Sequence, residues 1–363
     1  MTFCVLLTRV LVEPDFISHL TLRDWDLLIR QARHANLMGR LASKLEQRQL
    51  LARVPAQPQS HLEAALGVAH RQMLAVQWEI NRILQAVAEI PTPIVLLKGA
   101  AYVIQQLPAA HGRMFSDVDI LVPKDRLEAV EMALKIHGWI TTHHDAYDQR
   151  YYRTWMHELP PMLHLTRQTL LDVHHTILPE TARLHPDPKK LLDRAVPVAG
   201  FNQLQVLAPA DMVLHSATHL FHEGEFKNGL RDLTDLDALL RHYSQQQGLA
   251  FWETLHDRAK QLDLSRPLYY ALRYTSRILH TPVPGVAQQA ANAGRPGWAT
   301  IQLMDALFLR ALKPHHPSCD SWLTPPALWM LFVRSHWLKM PPGLLIRHLL
   351  HKLFISPKDT AST

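Results

Sequence analysis

The sequence predicts an α/β (α+β) chain, a small mixed β-sheet flanked by N- and C-terminal helical regions. Three observations carry this. Short apolar runs at residues 94–97 and 120–122 have the length and composition of buried strands. Further candidate strands follow at 139–142, 157–165 and 169–175. On both sides of this block, apolar residues recur at helical spacings of three and four.

Taken in order, residues 1–55 read as helices and loops, with Gly39 a candidate break. Pro55 and Pro58 mark a loop. Then Leu62, Leu66, Ala69, Met73, Val76, Ile80, Ile83 and Val87 form one apolar stripe of a long helix. A coiled-coil seam has the same pattern, but a lone segment is expected to pack on its own core. Pro91 and Pro93 end that helix. A helix is expected at 100–107 and another after Pro123, with Leu127, Val130 and Leu134 inward and Gly138 at its stop. Residues 147–155 carry Tyr151, Tyr152, Arg153 and Trp155, a set able to stack a base or fill a sheet face. Pro160 and Pro161 restrict the 157–165 strand to an edge or a bulge. A proline-rich stretch at 179–209 leads into further helices. These breaks divide the chain into an N-terminal helical region (1–90), a core (91–200) and a C-terminal helical region (201–363).

The chemistry concentrates at Ser116, Asp117, Val118 and Asp119. Side chains alternate along a strand, so Asp117 and Asp119 face the same way. Paired carboxylates repel unless a cation sits between them. Their hard oxygens suit Mg²⁺, with Mn²⁺ as a substitute. An isolated Asp-x-Asp commonly caps a turn, but here a strand ending at Lys98 and Gly99 precedes it. Glycine at a strand-to-helix junction admits an anion to backbone N–H groups, and Lys98 adds positive charge. Downstream, Asp172 and His174 share a strand face, and a carboxylate in so apolar a run is costly unless paired or metal-bound.

Together, LLKG at 96–99, Arg113, FSDVDILV at 115–122, His157-Glu158-Leu159, Leu171-Asp172-Val173-His174, the segment at 207–211 and that at 230–233 resemble a known family. It is the uncharacterised nucleotidyltransferase family of the DNA polymerase β-like superfamily. The resemblance implies a nucleotidyltransferase fold and transfer of a nucleoside monophosphate from an NTP to an acceptor, which could be a protein, a small molecule or RNA. It implies Asp117, Asp119 and Asp172 as catalytic metal ligands, and Lys98, Gly99, Arg113 and Ser116 as nucleotide-binding residues. The sequence has Lys98-Gly99 where many relatives have Gly-Ser, so a nucleotide-binding module without turnover is the alternative. Three neighbouring carboxylates are expected to raise at least one pKa, and Asn at Asp117 or Asp119 to relieve repulsion in the metal-free protein.

His215, His219 and His222 with Glu223 have helical spacing for zinc, but no fixed fourth ligand accompanies them, so buried packing is expected. Two cysteines far apart argue against a disulfide framework and fit a reducing cytoplasm. No run reaches the roughly 20 apolar residues of a membrane span. A formal charge of +6 suits a phosphate-rich partner. From residue 321 to 358 basic residues occur without an acidic one, among them Arg334, Lys339, Arg347, Lys352 and Lys358. This tail reads as a basic amphipathic helix for peripheral contact with an anionic membrane or with nucleic acid, or as a helix docked on the body.

Overall fold

The computed structural model describes residues 5–142, 152, 155–341 and 343. Helices α1 (Leu6–Val12), α2 (Leu22–His34) and α3 (Met38–Gln47) open it. A capping box starts α2: the Thr21 hydroxyl accepts from the Asp24 N–H, and the Asp24 carboxylate accepts from the Thr21 N–H. The break expected at Gly39 comes earlier, through Asn36 at φ 55°. Gly39 lies inside α3, where a Cβ would come within 2.5 Å of the Gly112 carbonyl oxygen. Its smallness serves a close backbone approach. Pro58 sits in the first turn of α4 (Ala56–Ala86), where proline is tolerated. The apolar stripe of α4 packs on the protein's own core, with Leu62, Ala69, Val76, Ile80 and Ile83 buried.

The sheet has seven strands: β1 (Ile94–Leu96), β2 (Asp117–Leu121), β3 (Trp139–Thr141), β4 (Met162–His164), β5 (Leu170–His174), β6 (Val196–Pro197) and β7 (Leu204–Val206). Their order is β3-β4-β5-β2-β1-β7-β6. The pairs β2–β5 and β1–β7 are parallel, while β1–β2 is antiparallel, so the sheet is mixed. Helix α5 (Lys98–Ile104) follows β1 and packs against both α4 and β2. Helix α6 (Leu127–Ile136) buries Val130 and Leu134 and stops before Gly138, which takes φ 96°. The strand expected at 157–165 shrinks to β4, since Pro160 and Pro161 cannot donate to a ladder; Glu158 keeps one bridge to His174.

After the short α7 (Pro188–Leu192), the chain beyond β7 is helical. It forms α8 (Pro209–His222), α9 (Gly229–Gln247), α10 (Leu249–Gln261), α11 (Ser265–Leu279), α12 (Gly285–Ala291), α13 (Trp298–Ala311) and α14 (Thr324–Lys339). Helix α14 packs along α13 through buried Ala327 and Leu331, so the start of the basic tail is docked on the body. The remainder, with Arg347, Lys352 and Lys358, lies outside the described residues, as does the aromatic-basic segment except Tyr152 and Trp155. Among the described residues, no helix is long and apolar enough to cross a membrane.

Candidate functional site

Parallel pairing of β2 with β5 sets Asp119 beside Asp172 in register. Asp117 precedes Asp119 by two residues, so all three carboxylates lie on one sheet face. Asp117 and Asp119 open on a cavity of about 280 Å³, which Lys98, Gly99, Arg113 and Ser116 also line. Six of the seven residues singled out from sequence therefore share one cavity wall. Asp172 does not line it and sits half-buried behind Asp119.

Charge is balanced unequally among the three. Asp119 is buried, yet its Oδ1 lies 2.9 Å from Lys98 Nζ and 3.1 Å from His174 Nε2. Burial opposes its ionisation, but Lys98 and His174 outweigh that and hold the carboxyl well below the usual range. Asp172 has no such partner. Burial first, then the charges of Asp119 and Glu158, push its pKa up to about 7. The expected repulsion thus falls on Asp172 alone. The expectation that Asn relieves Asp119 is corrected: Asp119 already pairs with Lys98 and with His174.

Lys98 takes φ 44°, a left-handed conformation that a lysine adopts at a cost. Gly99 instead makes room: a Cβ there would meet Arg113 Nη1 at 2.5 Å and the Phe115 ring at 2.9 Å. Arg113 is held by α9, donating from Nε to Asp235 Oδ2 at 2.8 Å. Asp235 also pairs with Arg40, so one buried carboxylate serves two guanidinium groups. Ser116 donates to Asp117 at 2.9 Å.

Residues outside the sequence-derived set complete the wall. Helix α8 supplies Ser216 and His219, followed by Glu223, and α9 supplies Arg231 and Asp232. Arg231 pairs with Asp232. Burial opposes ionisation of Glu223, but Lys339 of α14, 3.3 Å away, lowers its pKa. The histidines of α8 do not converge. His219 lines this cavity, His222 faces away, and burial lowers the pKa of His215 and His219. Among the described residues the three-ligand group is His157, Glu158 and His174, with ligand atoms within 4.8 Å of one another. There, burial opposes the His174 charge, while Glu158 and Asp119 on its two ring nitrogens raise its pKa. His174 Nε2 meets Asp119 at 3.1 Å, while its Nδ1, 3.2 Å from Glu158, makes no hydrogen bond among the described residues, and burial raises the pKa of Glu158. His174 was detectable in sequence only as the face-mate of Asp172; its link to Asp119 depends on strand pairing.

Asp117, Asp119 and Asp172 thus place three hard carboxylates on one sheet face, with Asp119 paired to Lys98 and His174 and Asp172 outside the cavity lining. No curated protein and no solved structure matches the chain. A family model described as an uncharacterised nucleotidyltransferase matches residues 21–280, which takes in every helix and strand from α2 to α11. On that match, the chain belongs to the uncharacterised nucleotidyltransferase family, a family of the nucleotidyl-transferring class.

Proposed function

We propose that the protein transfers a nucleoside monophosphate from an NTP to an acceptor hydroxyl or similar group and releases pyrophosphate. The observation that carries this reading is the pair Asp119 and Asp172, in register on parallel strands beside the lysine-lined cavity. Mg²⁺ or Mn²⁺ held by Asp117, Asp119 and Asp172 would supply positive charge against the triphosphate. Lys98, released from Asp119, would hold phosphate oxygens, with Gly99 and Ser116 at the same edge. Arg113, fixed by Asp235, would offset charge that develops during transfer. The acceptor oxygen bonds to the α-phosphorus as the bond to the bridging oxygen breaks. Asp172, as the third metal-holding carboxylate, would help activate the acceptor.

Incubation with each α-³²P-NTP, Mg²⁺ and cell lysate tests this, read as label on a protein, RNA or small-molecule acceptor. Label that requires Mg²⁺ and is lost in Asp172→Asn supports transfer. NTP binding by calorimetry without label from any of the four NTPs would leave the binding module.

A second reading, peripheral membrane contact through the tail, is favoured by one observation. Helix α14 and the residues before it leave Trp322, Trp329, Phe332 and Trp337 exposed. Exposed aromatic side chains on a helix that leads into a basic tail suit the boundary of an anionic bilayer.

A further inference from the structure

A second cavity of about 500 Å³ lies where α8 meets α11, α13 and α14. The end of α8 separates the two: His219 and Leu220 line the first cavity, Phe221 and His222 the second. His222 is 2% exposed and neither ring nitrogen has a hydrogen-bond partner. Burial, then Arg334 and Lys339, bring its pKa down to about 4, so the ring is neutral at pH 7 with one N–H and one lone pair to satisfy.

Arg334 enters the same cavity from α14. Its Nη1 donates to the Phe221 carbonyl at 2.8 Å, and its guanidinium lies 5.7 Å from the Tyr270 ring centre. Among the described residues, no carboxylate lies within ion-pair distance of it. A half-buried guanidinium without a carboxylate partner favours an anion. Arg183 and Arg266 open on the same space, and Asp263 is the single acidic lining residue. The rest of the wall is largely apolar, including Tyr270 and Met304. Basic and apolar side chains thus line one cavity, which offers partners to both halves of an amphipathic ligand.

We propose that this cavity binds a small amphipathic anion, its carboxylate or phosphate head met by Arg334 and His222 and its apolar body lying on Tyr270 and Met304. The site is independent of the transfer reaction, since it shares no lining residue with the carboxylate cavity.

Calorimetry of the full chain with octanoate, octyl phosphate and octanol tests it, in 50 mM and 500 mM NaCl. Octanoate or octyl phosphate should bind one to one, at least tenfold tighter than octanol, and more weakly in high salt. Whichever of the two binds tighter identifies the head group. Arg334→Gln should cut anion affinity at least tenfold and leave octanol unchanged. Should that variant unfold, Arg266→Gln, at an exposed position, should still weaken the anion about threefold. Equal affinity for octanol and both anions, or folded variants that bind as the wild type does, overturns the proposal.

Discussion

At the scale of residues, the site is a row of ionisable groups, Glu158, His174, Asp119 and Lys98, with Asp172 beside it and, among the described residues, without an ion pair of its own. This orders the effects of substitution. Asp119→Asn strands a lysine and an imidazolium in the interior, and breaking one partner of a buried pair costs about 3–5 kcal/mol. Thermal or urea unfolding should register that loss in metal-free buffer; a variant as stable as the wild type would mean that Lys98 and His174 find other partners. Asp172→Asn has the opposite sign. Its folded pKa lies above the unfolded value, so stability tied to the protonated carboxyl is full below about pH 4, falls between about 4 and 7, and is gone above 7. The variant should therefore gain on the wild type across that window, by up to about 1.4 kcal/mol per pH unit, and level off beyond it. A difference between the two proteins that does not change from pH 4 to 8 would show Asp172 to be ionised throughout.

At the scale of elements, what was legible in sequence was what is local. The apolar runs of β1 and β2, the stripe of α4 and the stop of α6 at Gly138 follow from neighbours in the chain. The Asp117–Asp119 pair was legible for the same reason, because strand alternation alone puts both on one face. Strand pairing was not. The contacts of Asp119 with Lys98 and His174, and of Arg113 with Asp235, join residues far apart in sequence and depend on how β2 meets β5 and α9. Helix α4 gives another instance. Glu79, buried beside its apolar stripe, takes two hydrogen bonds from Arg167 in the β4–β5 turn, 2.8 and 2.9 Å long. Arg167 also stacks on Trp139 of β3, so it ties the long helix to one edge of the sheet. Arg167→Ala should leave Glu79 buried and unpaired and cost about 3–5 kcal/mol in urea unfolding. A loss under about 1 kcal/mol would mean that water reaches the Glu79 carboxylate.

At the scale of the whole molecule, the helical regions do more than flank the sheet. Helices α8 and α9 form the second wall of the carboxylate cavity, and Lys339 of α14 reaches Glu223 at its rim. Truncation after Ser321 would remove Leu331 and Ala327 from the core, so the tail is better tested by ending the chain after Pro341. That shorter chain should melt close to the full chain and keep nucleotide binding. If the tail makes the membrane contact proposed above, it should lose most of its co-sedimentation with phosphatidylserine vesicles. Equal sedimentation of both chains would move the contact to α14 itself or exclude it.

Lys98 also bears on how the protein lives without metal. Its ammonium rests on Asp119, where the proposed cation would have to settle, so the lysine stands in for that charge. Folding then owes nothing to magnesium supply, and EDTA should leave the melting temperature within about 1 °C. The same arrangement makes loading competitive. A cation arriving alone must evict the lysine, whereas one arriving with a triphosphate gives the displaced ammonium somewhere to go. Metal affinity measured without nucleotide should accordingly be weak, and should rise at least tenfold when a non-hydrolysable NTP is present.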